Sequence, residues 1–365
     1  MSDGRATSTT ADDDAPLRGL WYAACPSSEV ARGAVVRRIL FGEPVAIGRG
    51  SDGAVFALRD VCPHRAAPLS KGRIISEGGT TSIECPYHGW RFQTADGRCA
   101  LIPSLSADDP FDPSGIAAVP FSATEANGFI WIAPRDVTPP RAQAPAPALS
   151  MIDFGLRHDA KPQSLTVVDA HGPYDEAVIG LVDPAHTPFV HKQWWWRDGK
   201  PLLEKQKYFE PTRIGFRMPP HMPSSNSRIY GLLGGAPTTE IEFRLPGLRI
   251  ETIRNRRHVI VSATAITPTD KNQSRIFHAI YWDAPLLSLL SPLINRMAAS
   301  FLGQDGDILR AQAENLARER HRPLYAGDPD VPAQWFHALK RAWRAAPSPD
   351  AFDNPLTEKM LRWRT

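Results

Sequence analysis

Two short stretches of the chain carry closely spaced cysteine and histidine residues. One reads DVCPHRAAPL and contains Cys62 and His64, and the other reads IECPYHGWRF and contains Cys85 and His88. Two thiolates and two imidazoles at these spacings could bind a zinc ion or a [2Fe-2S] cluster. Each stretch offers one sulfur and one nitrogen, as two irons of different ligation require, whereas zinc sites usually pair cysteine with cysteine. The pattern favours the cluster, with structural zinc as the alternative.

A second group of metal-binding residue types follows in GLVDPAHTPFVH, which contains Asp183, His186 and His191. On an uninterrupted helix, residues five apart lie roughly 140° apart around the axis, too far to share one metal. Pro188 predicts that the helix ends near Thr187, so that His191 can turn back towards His186. Two histidines and a carboxylate bind Fe(II) and leave positions open for dioxygen. The segment therefore predicts a mononuclear iron site whose acid can come from far along the chain.

The length of 365 residues favours two domains that position these groups. Residues 1–15 are polar and acidic and predict a disordered tail. Short apolar runs separated by Gly, Asp and Pro predict an all-β domain over residues 16–135, and the proline- and alanine-rich stretch 136–150 predicts a linker. Residues 151–365 combine alternating strands with helical patterns, which predicts an α+β domain with an antiparallel sheet flanked by helices.

The composition excludes several functional classes. The net charge is only +3, which gives no indication of nucleic-acid binding. The most apolar window, from Ala284, is broken by Pro292, Asn295 and Arg296, so it predicts a buried or amphipathic helix and no membrane span. We find no secretory signal and expect a cytoplasmic protein, in which a disulfide framework is improbable. The run Trp194 to Trp196 predicts packing, a subunit contact or the substrate entrance.

The loops CPHRAAPLSKG and CPYHGWRF resemble the Rieske motif of the Rieske non-haem iron oxygenases. The resemblance extends from GLWYAACPSSEV through the two histidines to FLGQDGDILRAQAENL. It implies a [2Fe-2S] cluster and a mononuclear Fe(II) site. The implied ligands are Cys62, His64, Cys85 and His88 for the cluster, and His186, His191 and Asp305 for the iron. Asp307 competes with Asp305 as the third iron ligand.

The chain also departs from the family pattern. Ala66 replaces a usual glycine, and the segment ISEGGTTS lengthens the interval between the cluster loops. Ile179 and Gly180 stand where many members have an asparagine ahead of the aspartate. None of these changes removes an implied ligand.

The resemblance implies the terminal oxygenase component of a system that draws electrons from NAD(P)H through a separate reductase, with or without a ferredoxin. The one GxGxxG match, GRGSDG at residues 48–53, lies between two strand-length apolar runs and opens no predicted helix, so it does not indicate a dinucleotide site. Family members form head-to-tail homotrimers, in which Asp183 would connect His88 of a neighbour to His186. We expect hydroxylation or oxidative demethylation of a hydrophobic aromatic or polycyclic substrate, with residues 286–301 capping the pocket. The alternatives are a cis-dihydroxylating ring dioxygenase and a non-catalytic Rieske electron carrier.

Overall fold

A computed structural model describes residues 15–134, 146–191, 202–223, 237–318 and 324–365. Most of the predicted tail and linker, and the whole tryptophan run from Trp194 to Trp196, lie outside the described residues. The described helices include none with the length and apolar character that a membrane span requires.

Ten short strands form the N-terminal part of the fold. They are β1 (Tyr22–Pro26), β2 (Val35–Leu40), β3 (Glu43–Arg49), β4 (Val55–Arg59), β5 (Arg73–Glu77), β6 (Thr80–Glu84), β7 (Arg91–Gln93), β8 (Cys99–Leu101), β9 (Pro120–Ala126) and β10 (Phe129–Ala133). An antiparallel six-stranded sheet has the order β1-β10-β9-β4-β3-β2, and β5 to β8 form an antiparallel four-stranded sheet. The all-β prediction for this part is confirmed.

Turn residues in the sequence explain why these strands are short. Asn127 and Gly128 both have positive φ and form the tight turn between β9 and β10, as Asn-Gly pairs commonly do. All five residues of β10 are buried, because this strand lies between β1 and β9 and packs on both faces. A separate apolar cluster that includes Phe56, Leu69 and Phe92 surrounds Cys62 and Cys85 beside the smaller sheet. The loops that carry Cys62 and Cys85 therefore stand on a packed apolar base.

Eight strands form the sheet of the C-terminal part. They are β11 (Ser164–His171), β12 (Glu204–Thr212), β13 (Gly215–His221), β14 (Thr238–Arg244), β15 (Leu248–Arg254), β16 (Val259–Asp270), β17 (Gln273–Trp282) and β18 (Lys359–Arg364). The order is β11-β17-β16-β15-β14-β13-β12-β18, and every adjacent pair is antiparallel. The predicted antiparallel sheet is confirmed.

Four α-helices accompany this sheet in the described residues. They are α1 (Tyr174–Val182), α2 (Thr187–Val190), α3 (Ser291–Arg318) and α4 (Val331–Ala345). Short 3-10 turns occupy Ser27–Glu29, Leu69–Lys71, Pro113–Gly115, Leu149–Ile152, Pro285–Leu290, Asp328–Asp330 and Pro349–Ala351.

The two sides of the eight-stranded sheet have different neighbours. One side packs against the N-terminal part, where the Tyr281 hydroxyl donates a hydrogen bond to the Asn127 carbonyl oxygen at 2.7 Å. The Thr267 hydroxyl similarly donates to the Ala23 carbonyl oxygen at 2.7 Å. On the other side, Phe243 packs edge-on against Phe336 of α4, and α1 and α3 also contact the sheet. The helix-covered side carries the second group of metal-binding residue types.

Candidate metal centres

The first cysteine-histidine loop leaves β4 and closes on itself through backbone hydrogen bonds. The Cys62 amide donates to the Ala67 carbonyl oxygen, and the Ala66 amide donates to the Cys62 carbonyl oxygen, both at 2.9 Å. Buried Asp60 accepts hydrogen bonds from the backbone amide and the hydroxyl of Ser70, each at 2.6 Å. These contacts fix both ends of the loop.

The second loop leaves β6 and has the same construction. The Cys85 amide donates to the Trp90 carbonyl oxygen at 2.8 Å, and the Gly89 amide donates back to the Cys85 carbonyl oxygen at 3.1 Å. Gly72, which ends the first loop, approaches the second so closely that a Cβ there would lie 1.8 Å from the Glu84 carbonyl oxygen. Glycine at this position allows the two loops to pack side by side.

The four side chains of the two loops form one cluster with buried sulfurs and outward imidazoles. Cys62 and Cys85 are 2% and 3% exposed. The rings of His64 and His88 lie 4.8 Å apart, and Trp90 stacks on His64 at 4.5 Å with an interplanar angle of 7°. Two sulfurs on one side and two nitrogens on the other match a Rieske cluster, in which two histidines bind one of the irons.

The spread of these donors also bears on the zinc alternative. Within the described residues, the potential metal ligands whose donor atoms all lie within 4.8 Å of one another are His186, His191 and Asp305. The donor atoms of the Cys-His quartet do not form so tight a group. A tetrahedral zinc ion with bonds of about 2.0–2.3 Å would draw all four donors into a tighter group. The quartet therefore fits a two-iron cluster better than a single ion.

The electrostatics of the first centre follow from its burial. Burial raises the pKa of the Cys62 thiol to about 11, so the thiol is neutral without metal and cluster binding must displace its proton. Desolvation, followed by the charges of His88 and Arg65, lowers the pKa of His64 below its ordinary value. His64 is therefore neutral near pH 7, as a metal ligand must be.

The helix that precedes the second group of metal-binding residues ends earlier than the sequence predicted. Helix α1 ends at Val182, and Asp183 adopts an extended conformation because it precedes Pro184. Pro188 does not end a helix: it occupies the first turn of α2, where a missing amide hydrogen costs nothing. The predicted helix through Thr187 is thus interrupted, and Asp183 and His186 lie on the bend between α1 and α2.

Three side chains converge at this bend. Asp305 Oδ1 of α3 lies 3.3 Å from His191 Nε2 and 3.7 Å from His186 Nε2. One donor atom from each residue lies within 4.8 Å of the other two. The two histidines come from the ends of α2 and the acid from a helix more than a hundred residues later, so the group exists only in the folded chain.

The environment of His191 supports its fit to a metal ion. The side chain is fully buried, its ring stacks on Phe301, and its Nδ1 lies 3.3 Å from the Gln304 amide oxygen. Burial, followed by the charge of His186, lowers the pKa of His191 to about 4, so the ring is neutral. With Nδ1–H donating to Gln304, Nε2 carries a lone pair, and this buried atom has no hydrogen-bond partner in the described structure. A metal ion would satisfy it.

The two candidate aspartates have different surroundings. Burial raises the pKa of Asp305 to about 6, although the charge of His186 opposes the rise. The Asp307 side chain is 74% exposed and lies 3.6 Å from Arg310 on the outer side of α3. Of the two, Asp305 is the one that the fold brings to the histidines.

Asp183 contacts His186 in an unexpected way. His186 Nδ1 lies 2.9 Å from the backbone carbonyl oxygen of Asp183 and 3.6 Å from its carboxylate. Burial raises the pKa of Asp183, but hydrogen bonds from His186 and from the Ala185 amide outweigh burial and bring it below the ordinary value. The carboxylate is thus ionised and one-third exposed, and the carbonyl group does most to orient the ring.

Sequence reasoning missed several neighbours of the second centre. Phe301 and Gln304 touch His191, and their positions on α3, one turn and one residue before Asp305, could have suggested this. In the segment 286–301, Leu289, Leu290 and Leu293 are 79%, 48% and 54% exposed, and its role as a cap over the pocket stays a prediction.

Two family models match separate parts of the chain. Residues 20–120 match the Rieske [2Fe-2S] domain, and residues 180–333 match the vanillate O-demethylase oxygenase C-terminal domain. The first model contains both cysteine-histidine loops, and the second contains the three converging residues. The chain belongs to the Rieske oxygenase family.

Individual relatives and structures agree with this family. Chlorophyllide a oxygenase of Chlamydomonas reinhardtii is 29% identical over 83% of this chain and 44% of its own length. The oxygenase component of dicamba O-demethylase from Stenotrophomonas maltophilia is 33% identical over 52% of each chain. The chain thus spans about half the length of these relatives. Dicamba monooxygenase bound to dicamba superposes with a TM-score of 0.64 at 21% identity, covering 90% of this chain and 99% of that one.

Proposed function

We propose that the chain is a terminal oxygenase that uses dioxygen and externally supplied electrons to hydroxylate or oxidatively demethylate a hydrophobic aromatic or polycyclic compound. The observation that carries this proposal is the convergence of His186, His191 and Asp305 in a chain that also contains a Rieske domain. A Rieske electron carrier needs no second metal centre. Its presence, with the unpartnered Nε2 of His191, therefore supports catalysis.

In this proposal, Cys62, His64, Cys85 and His88 hold the [2Fe-2S] cluster, and His186, His191 and Asp305 hold Fe(II). When bound, the iron supplies a site for dioxygen activation, with electrons delivered one at a time from the cluster. Gln304 and Phe301 keep the His191 ring in one orientation, and the Asp183 carbonyl group does the same for His186. His186, His191 and Asp305 would supply three ligands to the iron, and such a ligand set leaves further coordination positions for dioxygen.

We further propose that a head-to-tail homotrimer brings the cluster of one subunit to the iron of the next. Support comes from the exposed side of the first centre, where Tyr87 is 59% exposed and packs on the His88 ring at 3.8 Å. The carboxylate of Asp183 is one-third exposed and so can accept a hydrogen bond from a neighbour's His88. A separate reductase, with or without a ferredoxin, would pass electrons from NAD(P)H to the cluster.

The proposed domain limits are 16–135 for the Rieske domain and 151–365 for the catalytic domain, with a linker at 136–150 and a tail at 1–15. The two matched family regions fall within these limits. We propose a cytoplasmic location, which agrees with the four unpaired cysteines.

Demethylation or monooxygenation is the preferred reaction. The name of dicamba O-demethylase and the vanillate O-demethylase model both describe removal of a methyl group from an oxygen atom. Cis-dihydroxylation of a ring remains the competing reaction, and product analysis would separate the two.

Iron content and electron paramagnetic resonance test the proposal. We expect about three irons per chain and a Rieske signal on reduction, against about two irons for an electron carrier. A colourless protein with one stoichiometric zinc would refute the cluster assignment. Replacing His186 or His191 by alanine should remove about one iron and leave the Rieske signal intact, because the two centres use separate parts of the fold. A variant that keeps all its iron would contradict the proposed ligand set.

A further inference from the structure

One end of the eight-stranded sheet carries exposed leucines next to exposed arginines. The leucines belong to the 3-10 turn Pro285–Leu290 and the first turn of α3, where Leu289, Leu290 and Leu293 are 79%, 48% and 54% exposed. Single exposed apolar residues are ordinary, but adjacent ones on a soluble protein often mark a binding surface. We define the leucine-arginine surface as Leu289, Leu290, Leu293, Arg256, Arg257 and Arg296.

The geometry of α3 directs part of this surface away from the sheet. Asn295 marks the side of α3 that faces the sheet, because its side-chain oxygen accepts a hydrogen bond from the Ser164 hydroxyl of β11 at 2.5 Å. Leu293 precedes Asn295 by two positions and so lies about 160° away around the helix. Arg296 follows Leu293 by three positions and therefore lies on the same outer face.

The turn between β15 and β16 brings two more arginines to this end of the sheet. The Asn255 side-chain oxygen accepts a hydrogen bond from the Arg257 backbone amide at 2.8 Å, which fixes the turn. His258 Nδ1 lies 3.2 Å from the Asp283 carboxylate, and Asp283 leads directly into the segment that carries the leucines. The arginine turn and the leucines are therefore neighbours at the same end of the sheet.

The charge of the leucine-arginine surface is of one sign. Arg256, Arg257 and Arg296 are exposed, and none of them pairs with an acid within the part of the chain that the structure describes. Residues 284–304 contain no aspartate or glutamate. The positive charge is therefore uncompensated and complements an anionic partner.

The chemistry of this surface fits an anionic lipid bilayer better than an acidic protein. Protein interfaces draw most of their energy from Trp, Tyr and Arg anchors, and leucine is under-represented among such anchors. Leucines surrounded by arginines are instead typical of a surface that lies in the membrane interface, with apolar side chains at the acyl boundary and cations at the lipid phosphates. About 18 Å of helix separates Leu293 from Asp305, so this surface is distinct from the second metal centre.

We infer that the leucine-arginine surface attaches the protein reversibly to an anionic lipid bilayer. The three leucines insert at the headgroup boundary, and the three arginines contact the lipid phosphates. The attachment uses no membrane-spanning segment and does not depend on the oxygenase reaction. Because hydrophobic aromatic compounds dissolve in bilayers, the attachment places the enzyme where such compounds accumulate.

Co-sedimentation of the full-length, cluster- and iron-loaded protein with vesicles tests this inference. One set of vesicles is phosphatidylcholine alone, and the other contains about one-third phosphatidylglycerol, which makes the surface anionic. At about 50 mM salt the protein should bind the anionic vesicles at least about tenfold more tightly, and about 500 mM salt should remove most of this preference by screening. Absent binding, or equal binding to both sets of vesicles, would overturn the inference.

Two combined variants separate the contributions of charge and insertion. Replacing the three arginines together by glutamine should weaken binding to the anionic vesicles by about 100-fold, or about fivefold for each arginine. Replacing the three leucines together by serine keeps the charge and should still weaken binding by at least about tenfold, because insertion is lost. The matched control is Met360→Ser with Arg364→Gln, at exposed positions of β18, and it should bind as the wild type does.

An unchanged affinity in either combined variant would also overturn the inference. A changed number of subunits in either variant, measured by analytical ultracentrifugation, would assign the surface to a contact between copies of the chain and would equally overturn it. Iron content and the Rieske signal of the same samples show that each variant is folded, and they report on the proposed function independently of vesicle binding.

Discussion

Replacing Asp305 by asparagine should stabilise the protein when its mononuclear iron has been removed, although it destroys the iron site. The carboxylate lies in a partly buried site, and burial raises its pKa from 3.8 to about 6. Such a shift means that the folded protein disfavours the ionised form. Asparagine keeps the size and removes the charge.

The magnitude follows from the shift. About two pKa units correspond to about 3 kcal/mol of unfolding free energy. The Asp305 side chain keeps 33% of its surface exposed, and solvent screening reduces the expected effect to about 1–2 kcal/mol. Iron binding reverses this order of stability and makes the wild type more stable than Asp305→Asn, because the metal stabilises the ionised carboxylate.

The sign of the pH dependence is fixed by linkage. Below about pH 4 Asp305 is protonated in both folded and unfolded chains and contributes nothing. As pH rises from about 4 to about 6, the unfolded chain releases its proton first, so ionisation of Asp305 lowers stability over this window and the loss levels off above it. Asp305→Asn should lack this decline.

Urea unfolding of chelator-treated protein from pH 4 to pH 8 measures the effect. Asp307→Asn is the control, because the Asp307 side chain is 74% exposed and should change stability by no more than about 0.5 kcal/mol. Adding Fe(II) should stabilise the wild type and the control but not Asp305→Asn. If Asp305→Asn is less stable than the wild type at pH 7, or has the same pH profile, the reasoning about this carboxylate is wrong.

Three further substitutions test the loops and the bend. Ala66 has a φ of +56°, a conformation that suits glycine, so Ala66→Gly should stabilise the protein by about 0.5–1 kcal/mol and raise the thermal unfolding midpoint by about 1 °C, and no rise would show that the loop relaxes around alanine. Gly72→Ala should instead lower the midpoint strongly and reduce cluster content, because its Cβ would meet the Glu84 carbonyl oxygen at 1.8 Å; normal cluster content would contradict the close loop packing. Asp183→Asn keeps the carbonyl group that orients His186, so it should retain both metals and slow cluster reoxidation by about 10–100-fold in stopped-flow experiments with substrate and dioxygen. Reoxidation at the wild-type rate would limit the carboxylate to a structural role.

The sequence alone determined the local chemistry of this protein. Cysteine and histidine two or three residues apart in turns rich in proline and glycine can meet without help from distant residues, so Cys62, His64, Cys85 and His88 were recognisable as a ligand set. Strand alternation likewise predicted the β and α+β parts, because periodicity is local.

Only the tertiary structure decided the features that depend on distant contacts. Helix α1 ends one proline earlier than expected, and the choice between Asp305 and Asp307 depends on which side of α3 meets α2. Thr166, His278 and Arg249 become neighbours only through the register of four strands, and that register is set by packing against α3 and by the turns of the whole sheet. A single histidine in a strand has no spacing that reveals its neighbours, because those neighbours belong to other strands.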